Sequence, residues 1–82
     1  MPKKRDNVVY ELFEKGNNKV YIGITNDVDR RKQEHEQDKN FSSMRTVSPK
    51  LTEESARNRE KERIETFQKN HNGKLPKYNN QL

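Results

Sequence analysis

Six polar side chains have the types and spacing to do chemistry together: Tyr10, Tyr21, Arg31, His35, Glu60 and Asn79. Hydrolysis of a phosphodiester bond needs such parts. A divalent metal takes oxygen ligands, so a carboxylate must be present. Negative charge building on the phosphate is best met by a guanidinium fork. The attacking water needs a base, and a phenol near a metal or cation can have its pKa lowered enough to serve. Attraction to a phosphate backbone needs positive charge. The chain has 18 Lys and Arg against 13 Asp and Glu, a net charge of +5. The two signs are interspersed, so ordinary solubility is the competing reading of that excess.

These residues can act together only if the elements carrying them converge. Residues 8–13 are rich in β-branched and aromatic types and read as a strand, and residues 19–24 as a second. Lys15-Gly16-Asn17-Asn18 between them is turn chemistry, because Gly and Asn tolerate positive φ. Side chains alternate across a strand. Val8, Tyr10 and Leu12 therefore share one face, as do Tyr21, Gly23 and Thr25. A two-residue loop at Gly16-Asn17 sets Tyr10 opposite Gly23, and one at Asn17-Asn18 sets it opposite Thr25. Either register brings the two phenols to one face, whereas a three-residue loop without a bulge separates them.

A helix is expected over residues 27–38, capped by Asn26 or Thr25, with Asp27 and Asp29 in its first turn. Its stripe at helical spacing is Val28, Arg31 or Lys32, and His35. Only Val28 is apolar, so this helix is mostly solvated and presents basic groups toward the sheet. Residues 44–48 are expected as an edge strand, ended by Pro49. Thr52 then caps a second helix, with Glu53 and Glu54 in its first turn, running to about Asn70. The apolar stripe of that helix is Ala56, Ile64 and Phe67, and Glu60 falls in its middle. A carboxylate there is costly unless paired or metal-bound. The bland alternative is a stripe-edge carboxylate paired to a basic neighbour. Glu62 and Glu65 lie off the stripe, with Arg57, Arg59, Lys61 and Arg63 as partners along the helix. The tail from Lys77 adds a strand or a turn.

Composition sets the bounds. Eighty-two residues make one small domain, read as a basic arm over 1–7 and a single domain over 8–82. Only 26% of residues are hydrophobic, so the core is small and stability marginal. The absence of cysteine excludes disulfides, cysteine–zinc sites and a thiol nucleophile, and fits a reducing compartment. No apolar run is long enough to span a bilayer. Met1-Pro2-Lys3-Lys4-Arg5 has no apolar segment after it and reads as a solvated arm rather than a secretory signal. The expected location is intracellular, in the cytoplasm, the nucleoid or a nucleus.

The constellation resembles the GIY-YIG endonuclease family. Val8-Val9-Tyr10 stands where that family has Gly-Ile-Tyr. Tyr21-Ile22-Gly23 matches its second motif, followed by Arg31, with Arg30 beside it, and His35. Glu60, with Ile64 and Phe67 after it, matches the family's glutamate, with Glu62 as fallback, and Tyr78-Asn79 matches its closing asparagine. The likeness thus runs from Val8 to Asn79. It departs at Val8, where a β-branched residue replaces glycine. It implies an α/β (α+β) fold, a small three-stranded, mainly antiparallel sheet flanked by helices, and a nuclease using Mg²⁺, with Mn²⁺ as an alternative. The roles it implies are metal binding by Glu60, charge stabilisation by Arg31 and general base action by Tyr10. Tyr21 orients the site, His35 assists proton transfer or contacts phosphate, and Asn79 positions backbone or substrate. Arg30, Lys32, Arg57 and Lys77 are the expected contacts to nucleic acid.

The expected substrate is DNA, with RNA as an alternative, and specificity is expected from substrate structure, a protein partner or a homo-oligomer. Two other readings compete. One is a nuclease-derived module that binds nucleic acid without cutting. The other is an unrelated small basic protein acting through charge.

Overall fold

The structure, a computed structural model, describes residues 5–16 and 18–79. Strand β1 (Val8–Glu14) and strand β2 (Asn18–Thr25) form the expected antiparallel hairpin. Helix α1 (Val28–Asp38) follows, then strand β3 (Ser43–Thr46) and helix α2 (Glu53–Asn70). The strand order is β2-β1-β3, antiparallel throughout. β1 is therefore the central strand, which accounts for its burial from Val8 through Leu12. Asn7, counted with the N-terminal arm in the sequence reading, bridges Leu51 and so belongs to the folded unit.

The hairpin register follows one of the two even alternatives, by a different route. Tyr10 pairs with Gly23, as a two-residue loop at Gly16-Asn17 would give. Yet Glu14 pairs with Asn18, so three residues, 15–17, make the connection. A β-bulge between Leu12 and Phe13 restores the register: Leu12 pairs with Tyr21 and Phe13 with Lys19, leaving Val20 as the extra residue. Val20 therefore joins Tyr10, Leu12 and Tyr21 on one side of the sheet. Lys19 is turned to the other side, where it pairs with Glu11.

Both sheet faces are covered. On one, Val9, Ile22 and Ala56 form a core against which Ile24, Val47, Leu51, Ile64 and Phe67 pack, which is the expected stripe of α2. On the other, Tyr10, Leu12 and Val20 are buried beneath Tyr21, Phe41, Met44 and Tyr78.

Two local expectations need correction. The α1 cap is Asp27, not Asn26 or Thr25. Asp27 is extended (φ −148°, ψ 92°), and its carboxylate accepts the Arg30 N–H at 3.1 Å. The Thr25 hydroxyl is already engaged in the preceding turn, accepting from Asp27 N (3.0 Å) and donating to Asp27 O (3.1 Å). The third strand ends at Thr46 rather than Ser48, because the Ser48 hydroxyl turns inward to accept the Val9 N–H at 2.9 Å. At α2 the expected cap holds: Thr52 accepts from Ser55 N at 3.2 Å.

Candidate active site

The site begins with Gly23. A Cβ at this position would lie 2.6 Å from Tyr21 Cε2 and 2.8 Å from Tyr10 Oη. Only a residue without a side chain lets the two phenol rings close over β2 here. Their centroids are 5.9 Å apart. His35, the one buried residue of α1, completes a triangle of rings at 5.6 Å from Tyr10 and 5.0 Å from Tyr21.

The Tyr10 hydroxyl and His35 Nε2 are 2.6 Å apart. Burial, then the Lys39 and Arg31 charges, push the His35 imidazole below its ordinary value, so it is neutral near pH 7. Burial, then the neighbouring Tyr21, pushes the Tyr10 phenol above its ordinary value, against the pull of Arg31. The Arg31 charge acts on this phenol, while Arg31 Nη1 itself pairs with Glu34 Oε1 at 3.4 Å. The Tyr10–His35 hydrogen bond ties β1 to α1.

Tyr10 has no exposed surface, whereas Tyr21 is partly exposed. Water cannot reach Tyr10, and its phenol is held protonated. Both facts weigh against the general-base role that the sequence resemblance gave it.

Tyr21 lines a cleft of about 460 Å³ together with Arg30, Arg31, Arg57 and Glu60. Three separate elements, β2, α1 and α2, supply these side chains. Burial raises the Glu60 carboxyl above its ordinary range, and nearby Arg57 opposes the shift. Arg57 is itself paired to Glu53 at 2.9 Å. Glu62 lies elsewhere, on a groove shared with Phe13 and Lys19. Of the two candidate glutamates, Glu60 is thus the one beside Tyr21 and Arg31. Lys32 and Lys77 are exposed and do not line the cleft.

Asn79 also lies away from the cleft, at the outer edge of β2. Its Oδ1 accepts from Ile22 N at 2.8 Å, and its Nδ2 donates to Ile22 O at 2.9 Å. One side chain here imitates a neighbouring strand. Tyr78 N donates to Val20 O at 2.8 Å, so the residues on both sides of Tyr21 are held by the tail. Tyr78 Oη in turn clasps Asn40, accepting from its N–H and donating to its carbonyl.

Other contributors escaped the sequence reading. Lys39 places its ammonium 5.2 Å from the Tyr21 ring centroid, and Asn7 and Asn26 line the cleft. Glu11 is 2% exposed and is held by Lys19 (3.0 Å) and Arg63 (2.8 Å) on the α2 side of the sheet. The available signal was a charge inside a strand otherwise apolar from Val8 to Phe13. It becomes informative only once both sheet faces are known to be covered.

Among the described residues, no three His, Asp or Glu side chains converge as a metal cage. The cleft offers the Glu60 carboxylate on an open wall. Mg²⁺ retains several waters and is usually held by one or two carboxylates plus substrate phosphates, so this donor set fits it.

The fold and cleft define a class: a small α+β domain with a phenol, a guanidinium and a carboxylate convergent on one opening. The description "GIY-YIG catalytic domain" matches residues 6–79, nearly the whole chain, and the protein belongs to the GIY-YIG family of nucleases. Comparisons with curated proteins and with solved structures gave no match. Among the described residues, no helix is long and apolar enough to cross a membrane.

Proposed function

We propose that this chain is a metal-dependent endonuclease that hydrolyses DNA phosphodiester bonds in the Tyr21–Arg31–Glu60 cleft. The observation that carries the reading is the convergence of those three side chains from three elements. Arg31 donates to the scissile phosphate, and its negative charge grows as water adds. Tyr21 Oη orients the attacking water. Glu60, with water and substrate oxygens, would hold Mg²⁺ or Mn²⁺, which when bound supplies charge stabilisation at the phosphate. Tyr10 and His35 act behind the cleft by positioning Arg31 and the Tyr21 ring. Arg30 and Arg57 flank the cleft as backbone contacts.

The test is cleavage of single-stranded, duplex, branched and RNA substrates with and without Mg²⁺. Glu60→Gln and Arg31→Ala should each lower cleavage by at least about a hundredfold, the range for loss of one group that stabilises charge in the transition state. A half-buried carboxylate with a raised pKa destabilises the fold once it ionises, because the folded state then binds more protons than the unfolded. Metal-free Glu60→Gln should therefore melt no lower than the parent at neutral pH. Salt-sensitive DNA binding without cutting in either metal would select instead the binding module that keeps the fold and lacks turnover.

A further inference from the structure

A second opening, larger than the catalytic cleft, is a groove of about 810 Å³ between the hairpin end of the sheet and the side of α2 that carries Arg59, Arg63 and Phe67. Lys19 lines the groove, and Tyr21 and Thr25 line the cleft two and six residues further along β2, about 7 to 20 Å of strand, while Arg59 and Glu60 bring the two openings to adjacent residues of α2. Both openings lie along the same helix and the same strand, so one extended ligand can occupy them together.

The groove carries two kinds of group. Lys19, Arg59 and Arg63 supply positive charge, against Glu62 on the same wall. Beneath them the buried Glu11 serves Lys19 and Arg63 through one oxygen, Oε2. One carboxylate shared between two cations leaves positive charge over for an incoming anion. The second kind is aromatic. The His71 ring lies flat on Phe67, with centroids 3.7 Å apart and planes 6° from parallel. The Phe67 carbonyl can only accept, so His71 Nδ1 donates to it at 2.8 Å. The ring is thus fixed in two directions before anything binds, while His71 stays exposed. A fixed, exposed ring beside phosphate-binding cations is the arrangement that takes an unpaired nucleotide: the base stacks and the backbone meets charge.

We propose that this groove is a second nucleic-acid site, taking an unpaired stretch of strand that leaves the catalytic cleft. Its phosphates lie on Lys19, Arg59 and Arg63, and one base stacks on the outer face of His71. The proposal rests on the reading of the cleft as a DNA site and adds a preference for substrates with a single-stranded flank.

The experiment measures binding by fluorescence anisotropy. The full chain carrying Glu60→Gln is used in a chelator, with two labelled DNAs: a blunt duplex and the same duplex bearing an oligothymidine overhang. The overhang should tighten binding roughly tenfold, the contribution of about one stacked base. His71→Ala should remove that gain and leave blunt-duplex binding unchanged. His71→Phe keeps a ring but loses the bond to the Phe67 carbonyl, and it should retain the gain. Circular dichroism of each variant checks that α2 is intact. An absent gain, a gain that survives His71→Ala, or loss of the gain in both variants overturns the proposal. Equal weakening of both DNAs does so too. Failure of the two readings is separable. Cutting without an overhang preference removes the groove and leaves the nuclease. An overhang preference sensitive to His71→Ala, with no cutting in Mg²⁺ or Mn²⁺, leaves the groove and removes the nuclease.

Discussion

At the residue scale the site depends on an absence of atoms. The two phenols meet because position 23 has no side chain. A methyl there would sit 2.6 Å from one ring and 2.9 Å from Cζ of the other. Neither contact is the end of a flexible chain, since Tyr10 is buried and its hydroxyl is bound to His35. Gly23→Ala must therefore push the Tyr21 ring outward or lift β2 from β1. Overpacking of this kind costs about 1–3 kcal/mol. We expect Gly23→Ala to lower the melting temperature and to lose most cleavage, while DNA binding, which draws on many exposed cations, changes little. Melting curves and cleavage rates on the same preparation check this. The first motif is different. Val8, which stands where the resemblance has glycine, is buried opposite Thr25, two residues from Tyr10.

At the element scale, the clear sequence signals were those of local chemistry. Thr52 followed by Glu53 and Glu54 marked the start of α2, and Gly16 with its neighbours marked the hairpin turn. Period-two alternation grouped Val8, Tyr10 and Leu12 on one face and Tyr21, Gly23 and Thr25 on another, and left their coincidence to the length of the loop. What could not be read was set by partners distant in the chain. The bulge at Val20 depends on how a three-residue connection is reconciled with the tyrosine register. Burial of Glu11 depends on α2 bringing Arg63 across the sheet. The asparagine near the end was expected to position backbone or substrate, and of these it clamps backbone, that of Ile22, which only the folded tail brings within reach. That clamp yields a paired prediction. Asn79→Ala removes two hydrogen bonds at a partly buried strand edge, and Thr52→Ala removes a helix cap, each costing about 1 kcal/mol. Thermal melts should show similar losses for the two. Cleavage should fall only in Asn79→Ala, because only that change frees the backbone on which Tyr21 is mounted. Equal activity in the two variants would mean the clamp serves stability alone.

At the scale of the whole molecule, a chain with so small a core should have its stability window shaped by single buried groups, and the Tyr10–His35 pair shapes both limits. His35 has a folded-state pKa below its unfolded value of about 6.5. The unfolded chain therefore binds the proton first as pH falls. The contribution of the neutral imidazole is complete above that value and is lost as pH drops through it toward the depressed one. Tyr10 has a folded-state pKa above its unfolded value of about 10. Its contribution is complete below that value, and it declines as pH rises above it, because the unfolded chain ionises first. One hydrogen bond thus sets an acid limit through one partner and an alkaline limit through the other. Melting temperature measured from pH 5 to 11 should fall at both ends. In His35→Gln the acid decline should flatten while the alkaline one remains, and in Tyr10→Phe the reverse should hold. Each variant should also melt below the parent at pH 7.5, since removing one partner leaves the other buried and unpaired at about 1–3 kcal/mol. If both variants kept the parent's two slopes, the pH limits would belong to the exposed charges of this basic surface and not to the buried pair.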